Sequence, residues 1–215
     1  MHKKKLFILF YVFLVSFNAG GEENKMLNKD EQQILLAMAR DTVRLFLEKG
    51  VAPSVDAYTL TPMLEGKYGV FVTLRKRSNG ELRGCVGHIL ATKPLAEGVI
   101  ECAVFAATRD TRFQPMKKGE DTTVEIEISV LSPPGKIDSI DEIVVGRHGL
   151  IITRGMQSGV LLPQVPGEFG WDRQTYLSAI CRKAGLPDGA WKDGARLYTF
   201  TAQVFGEKDK DHINK

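Results

Sequence analysis

Cysteine is scarce in this 215-residue chain, and the three present, Cys85, Cys102 and Cys181, are an odd number at wide spacing. An exported protein held by disulfides normally carries an even, closely spaced set, so no disulfide framework is expected. Net charge is missing from the body as well. Taking Lys3, Lys4 and Lys5 away from the 29 basic residues leaves 26 to face 26 acidic ones. Such a chain lacks the broad positive footprint that supplies non-specific affinity for phosphate backbones, so no nucleic-acid partner is expected. The one basic cluster, Arg75, Lys76, Arg77 and Arg83, reads as the solvated face of a hairpin. No apolar run reaches the ~20 residues of a membrane-spanning helix. The glycine patterns of nucleotide-binding loops are absent, and so is the G-x-S-x-G of serine hydrolases.

What is present begins with a leader. His2 to Lys5 form a cationic opening and Leu6 to Phe17 an apolar run, followed by the small residues Asn18-Ala19-Gly20-Gly21. This is the layout of a secretory signal over residues 1–20, and it predicts an exported protein, periplasmic or extracellular. The alternative is a cytoplasmic protein whose translation starts at Met26.

The rest has the length and the 43% hydrophobic content of one globular unit with its own core. Apolar residues at helical spacing predict a helix from Asn28, with Asn28 and Glu31 placed as a capping box and Gly50 placed to end it. Gly69 to Arg75 and Glu81 to Val86 flank Ser78-Asn79-Gly80, a hairpin turn signal. A helix over Thr92 to Thr108, a polar loop over Arg109 to Pro115 and an alternating strand over Thr123 to Leu131 follow. Beyond Ser132-Pro133-Pro134-Gly135, short apolar runs cut by glycine predict a small β subdomain at roughly 135–170. Asp172 then caps a helix that runs to Ala184, Leu197 to Phe205 forms a last strand, and residues 207–215 read as a flexible tail. The fold class is α+β: an antiparallel or mixed sheet with packed helices, plus a small inserted β subdomain.

Chemistry concentrates in Glu81-Leu82-Arg83-Gly84-Cys85-Val86-Gly87-His88. Gly84 and Gly87 permit close approach on either side of Cys85. Arg83 favours the thiolate, the form that reacts. In the enzyme reading Cys85 is the nucleophile, Arg83 its cation and His148 the acid/base. Gly84, His88, Arg109, Arg112 and Glu125 then line the substrate pocket. In the packing reading Cys85 ends a tight strand and His148 is a turn residue. A third possibility, a binding or adaptor module, uses the same residues as contacts for a small molecule or protein. Cys85-x-x-His88 is half of a zinc-ligand pair, but no second close pair accompanies it, so no metal is expected. The sequence identifies no cofactor.

The strings LRGCVG (82–87), RDTRFQP (109–115), EIEISVLSPP (125–134), RHGL (147–150), GVLLPQV (159–165), the Trp171-Asp172 helix with Cys181, and AGLP (184–187) followed by Trp191 together resemble the AMMECR-type domain, the AmmeMemoRadiSam system protein A family, over about 28–206. The resemblance implies an α+β fold with a main α/β portion and a smaller inserted β portion. It also implies a shared modification pathway with Memo-like and radical-SAM proteins, with no reaction settled for this component. The family is mainly intracellular, and the leader departs from that.

Overall fold

A computed structural model of the chain describes residues 27–210, so the leader and the alternative start at Met26 lie outside the described residues. The first helix, α1 (Lys29–Lys49), starts where the capping box predicts: the Asn28 side chain accepts from the Glu31 amide and the Glu31 carboxylate accepts from the Asn28 amide, each at 2.9 Å. Gly50 ends it at φ 72°, a conformation that costs glycine little. A short helix α2 (Pro62–Glu65) leads into strands β1 (Gly69–Lys76) and β2 (Leu82–His88). Helix α3 (Leu95–Thr108), with Pro94 at its N-cap, begins later than Thr92 and is followed by β3 (Val124–Leu131).

The chain then builds β4 (Gly135–Ile137), β5 (Gly149–Arg154), β6 (Gln157–Leu161), α4 (Val165–Phe169), α5 (Arg173–Lys183), β7 (Arg196–Phe200) and β8 (Ala202–Gly206). Two four-stranded sheets result, ordered β2-β1-β3-β8 and β4-β7-β5-β6, and their pairings are antiparallel. The second sheet reaches past residue 170, because β7 is one of its inner strands. The single strand expected over Leu197 to Phe205 is two strands. It breaks at Thr201, whose amide donates to Ser132 Oγ and whose carbonyl accepts from the Ser132 amide, each at 2.9 Å. There the chain crosses from one sheet to the other.

Three apolar clusters hold the layers together. Val70, Val72 and Leu74 alternate along β1 and pack with α1 and α3 through Leu35, Met38, Val99, Cys102 and Ala103. Leu150, Ile152 and Leu197 pack with the α5 residues Tyr176, Leu177, Ile180 and Cys181. Cys102 and Cys181 are thus buried core residues, as their helical positions predict. The third cluster lies between the sheets. Phe71 and Leu131 of the first meet Ile151, Val160 and Phe200 of the second, with Cys85 and Tyr198 packed against them. The tail departs from expectation at its first residue: Glu207 accepts from Arg40 Nε at 2.8 Å and from the Ile126 amide at 3.0 Å.

Candidate functional site

Strand β2 is an edge of its sheet, and the site is built on it. Side chains alternate between faces, so Gly84, Val86 and His88 share the face packed by α3, while Cys85 and Gly87 share the face toward the second sheet. Both glycines are required by close approach. A Cβ on Gly84 would lie 2.1 Å from the Ala106 carbonyl oxygen of α3, and one on Gly87 would lie 2.3 Å from the Phe71 ring.

An edge strand leaves backbone groups unpaired, and at Cys85 two side chains from the loop after α3 take them up. The Cys85 amide donates to Asp110 Oδ2 at 2.8 Å, and its carbonyl accepts from Arg112 Nη2 at 3.2 Å. Arg112 also grips Asp110 in a fork, Nε to Oδ1 at 2.8 Å and Nη2 to Oδ2 at 2.6 Å. The Asp110 side chain is only 6% exposed. This pair does for one residue what a neighbouring strand would do.

The thiol itself faces Thr73, directly opposite on β1, whose hydroxyl donates to Cys85 Sγ at 3.3 Å. Burial pushes the thiol pKa up. The Thr73 hydrogen bond and the Arg112 cation oppose that push, Asp110 and Glu127 reinforce it, and the net direction is upward. Glu127 lies opposite Thr73 on β3, so Cys85, Thr73 and Glu127 form one row across the sheet. In the second layer, burial and, less strongly, the Arg112 cation push the pKa of Lys183 on α5 down.

Several expected residues stand elsewhere. Arg83 does not serve the thiol: its side chain is 13% exposed and its guanidinium pairs with Glu120 at 3.3 Å. His88 lies on the opposite sheet face from Cys85, bonded to Glu101 at 3.0 Å, so the Cys85-x-x-His88 spacing does not bring the two side chains together. His148 accepts the Val144 amide at Nδ1 within its own turn, at 3.3 Å, and its carbonyl receives the Tyr176 hydroxyl. Arg109 lies over the Phe105 ring at the end of α3. Glu125 shares the Cys85 face of the sheet but is held by Arg77 at 3.5 Å and Lys208 at 2.6 Å. Of the residues expected around Cys85, Gly84 and Arg112 are in contact with its strand position. Thr73, Asp110 and Glu127 were missed. Asp110 sat in the polar loop already singled out, and the Asn79-Gly80 turn, by fixing the hairpin register, offered a signal for Thr73.

On the same face, beside the Cys85 row, a groove of about 300 Å³ runs along Arg75, Glu127, Val204 and Lys208. Val204 is 46% exposed in it, and Arg75 approaches Glu127 at 3.9 Å.

Comparison with known proteins follows the same stretch of chain. A family model described as AMMECR1 matches residues 36–205. A protein of Methanopyrus kandleri is 43% identical over 193 residues, covering 86% of this chain and 92% of its own length. A Methanosarcina mazei protein is 40% identical, covering 86% and 96%. The crystal structure of an uncharacterised protein from Pyrococcus horikoshii is similar with a TM-score of 0.71 at 41% identity, over 80% of this chain and 89% of that one.

Proposed function

The chain belongs to the AMMECR1 family, and from that premise we propose that it is a binding module whose groove along β3 and β8 takes a polar small molecule or a segment of a protein partner. The observation that carries this reading is the way Cys85 is held. Asp110 and Arg112 occupy its backbone groups, and burial keeps its thiol in the protonated form, which packs well and attacks poorly. On the same sheet face, two strands over, Arg75, Glu127 and Lys208 offer both signs of charge around the exposed Val204, a surface suited to a ligand carrying both.

The family resemblance supplies Memo-like and radical-SAM proteins as the partners to try first, acting in a shared modification pathway. Export by the Lys3 to Phe17 segment belongs to the same proposal. N-terminal sequencing tests it: a mature start near Gly20 to Asn24 supports export, and a start at Met26 contradicts it.

A second reading, a thiol-dependent enzyme with Cys85 as nucleophile, draws on Thr73 and Arg112, which both act to lower the thiol pKa. Calorimetry with a purified Memo-like homologue separates the two. The binding reading expects Cys85→Ser to keep affinity within about threefold and Glu127→Ala to lose about tenfold, which is roughly 1.4 kcal/mol. Loss of binding in a folded Cys85→Ser variant moves the weight to thiol chemistry.

A further inference from the structure

The row that Cys85 begins ends on a glycine. Cys85, Thr73, Glu127 and Gly206 stand opposite one another on β2, β1, β3 and β8, so among the described residues the groove along β3 and β8 has a gap over Gly206, beside Glu127. The fold does not require this glycine. Gly69, Gly84, Gly87, Gly149 and Gly159 stand on strands where a Cβ would meet a neighbouring atom at 2.8 Å or less. At Gly206 the nearest atom to an added Cβ is the Ile126 carbonyl oxygen at 3.4 Å, an ordinary contact, and its φ lies outside the left-handed region. Glycine weakens a strand, and one with neither reason marks a place where a ligand or another chain comes close to the backbone. The charges at the gap are only loosely matched. Arg75 Nη2 and Glu127 Oε1 stand 3.9 Å apart, beyond hydrogen-bond length, and Arg75 Nη1 makes one long bond to the Gly80 carbonyl at 3.5 Å. Lys208, by contrast, closes on Glu125 at 2.6 Å.

We infer that this groove takes a free α-amino acid with an aliphatic side chain, which rests on the reading of the groove as a binding site and gives its ligand a chemical class. Arg75 holds the carboxylate, Glu127 holds the ammonium, and the aliphatic side chain lies over Gly206 against Val204. Val204 precedes Gly206 by two residues, so it stands ~7 Å away along the same face, and it is exposed. The carboxylate and ammonium of an α-amino acid share one carbon, which lets a single small molecule bridge two opposite charges a few Å apart. Guanidinium and carboxylate match in geometry as well as charge. A ligand with only one charge leaves the other protein charge partly desolvated and unmatched. The groove's volume of about 300 Å³ equals about ten waters at ~30 Å³ each. It lies at the lower limit of pockets for small molecules, ~300 Å³, which suits a single amino acid.

L-Leucine is the probe, and its single-charge counterparts are isocaproate, which lacks the ammonium, and isoamylamine, which lacks the carboxylate. In nitrogen-15 NMR spectra of the full chain, leucine is expected to shift the assigned Val204 and Gly206 amide signals saturably. Each counterpart is expected to need at least about tenfold more ligand for the same shift. Gly206→Val fills the gap with a residue that strands favour. It is expected to weaken leucine at least about tenfold while its thermal midpoint stays at or above that of wild type. Unmoved signals up to the solubility of leucine overturn the inference. A counterpart that binds as well as leucine overturns the need for both charges. A lowered midpoint in Gly206→Val makes Gly206 a packing residue and overturns the gap as a site. Calorimetry with the Memo-like homologue tells the two failures apart. Silent leucine with the homologue lost in Gly206→Val overturns the amino acid alone, and silent leucine with no homologue bound by wild type overturns the groove as well.

Discussion

The amide of Cys85 donates to the carboxylate of Asp110 across 25 residues of chain, at 2.8 Å, and this bond ties the edge of the first sheet to the loop leaving α3. It makes Asp110 and Arg112 structural at the strand edge. Burial alone would raise the Asp110 pKa, but the Arg112 fork and the amides of Cys85 and Arg112 overcome it, so the carboxyl sits below its ordinary range. A carboxyl lowered in the folded state adds stability that is complete above its unfolded pKa of about 3.9, and that is lost as pH falls below that value toward the folded pKa. Asp110→Asn should cost about 1–3 kcal/mol at neutral pH. Its urea midpoint should fall less steeply than that of wild type below pH 4. Equal acid slopes for the two proteins would remove the edge-cap role.

Gly84 must remain glycine for a different reason. A methyl group there meets the Ala106 carbonyl at 2.1 Å and its carbon at 3.0 Å, and helix backbone cannot swing aside as a side chain can. Gly84→Ala should therefore destabilise by about 1–3 kcal/mol, read from urea unfolding. A loss below about 0.5 kcal/mol, the range of an ordinary surface change, would show that α3 does not lie so close.

The start of the C-terminal segment is anchored. Glu207 is held by Arg40 and Arg77 and accepts from the Ile126 amide. Glu207→Ala should lower stability by about 1–3 kcal/mol, since it leaves those donors unmatched. An unchanged thermal midpoint would return Glu207 to the frayed tail that its charged neighbours suggest.

Periodicity carried much of the fold. The capping box at Asn28, the hairpin around Asn79-Gly80 and the alternating β3 are local, and each has a residue pattern that admits one reading. The break at Thr201 was hidden because β7 and β8 together keep strand-like composition. What divides them is a long-range pairing with Ser132, which no local pattern records. At the candidate site it was legible that Cys85 lies on the returning hairpin strand, but that strand, expected to end at Val86, runs on to His88 and holds Cys85 at its middle; the electrostatics of Cys85 were not legible. Arg83, next to Cys85 in sequence, is turned to Glu120, while Arg112, 27 residues on, reaches the Cys85 carbonyl. His88 was separable from Cys85 by counting alone, because an odd spacing along a strand puts two side chains on opposite faces.

Alkylation of each cysteine against pH, read by peptide mass in the folded protein, tests the central claim most directly. If Cys85 is a half-buried packing residue rather than a nucleophile, its midpoint should lie above the ordinary thiol value of about 8.5, because burial outweighs Thr73 and Arg112. Arg83→Ala should leave that midpoint unchanged, since Arg83 is engaged with Glu120. Selective labelling of Cys85 below pH 7.5, lost in Arg83→Ala, would contradict the account and make Cys85 an activated nucleophile.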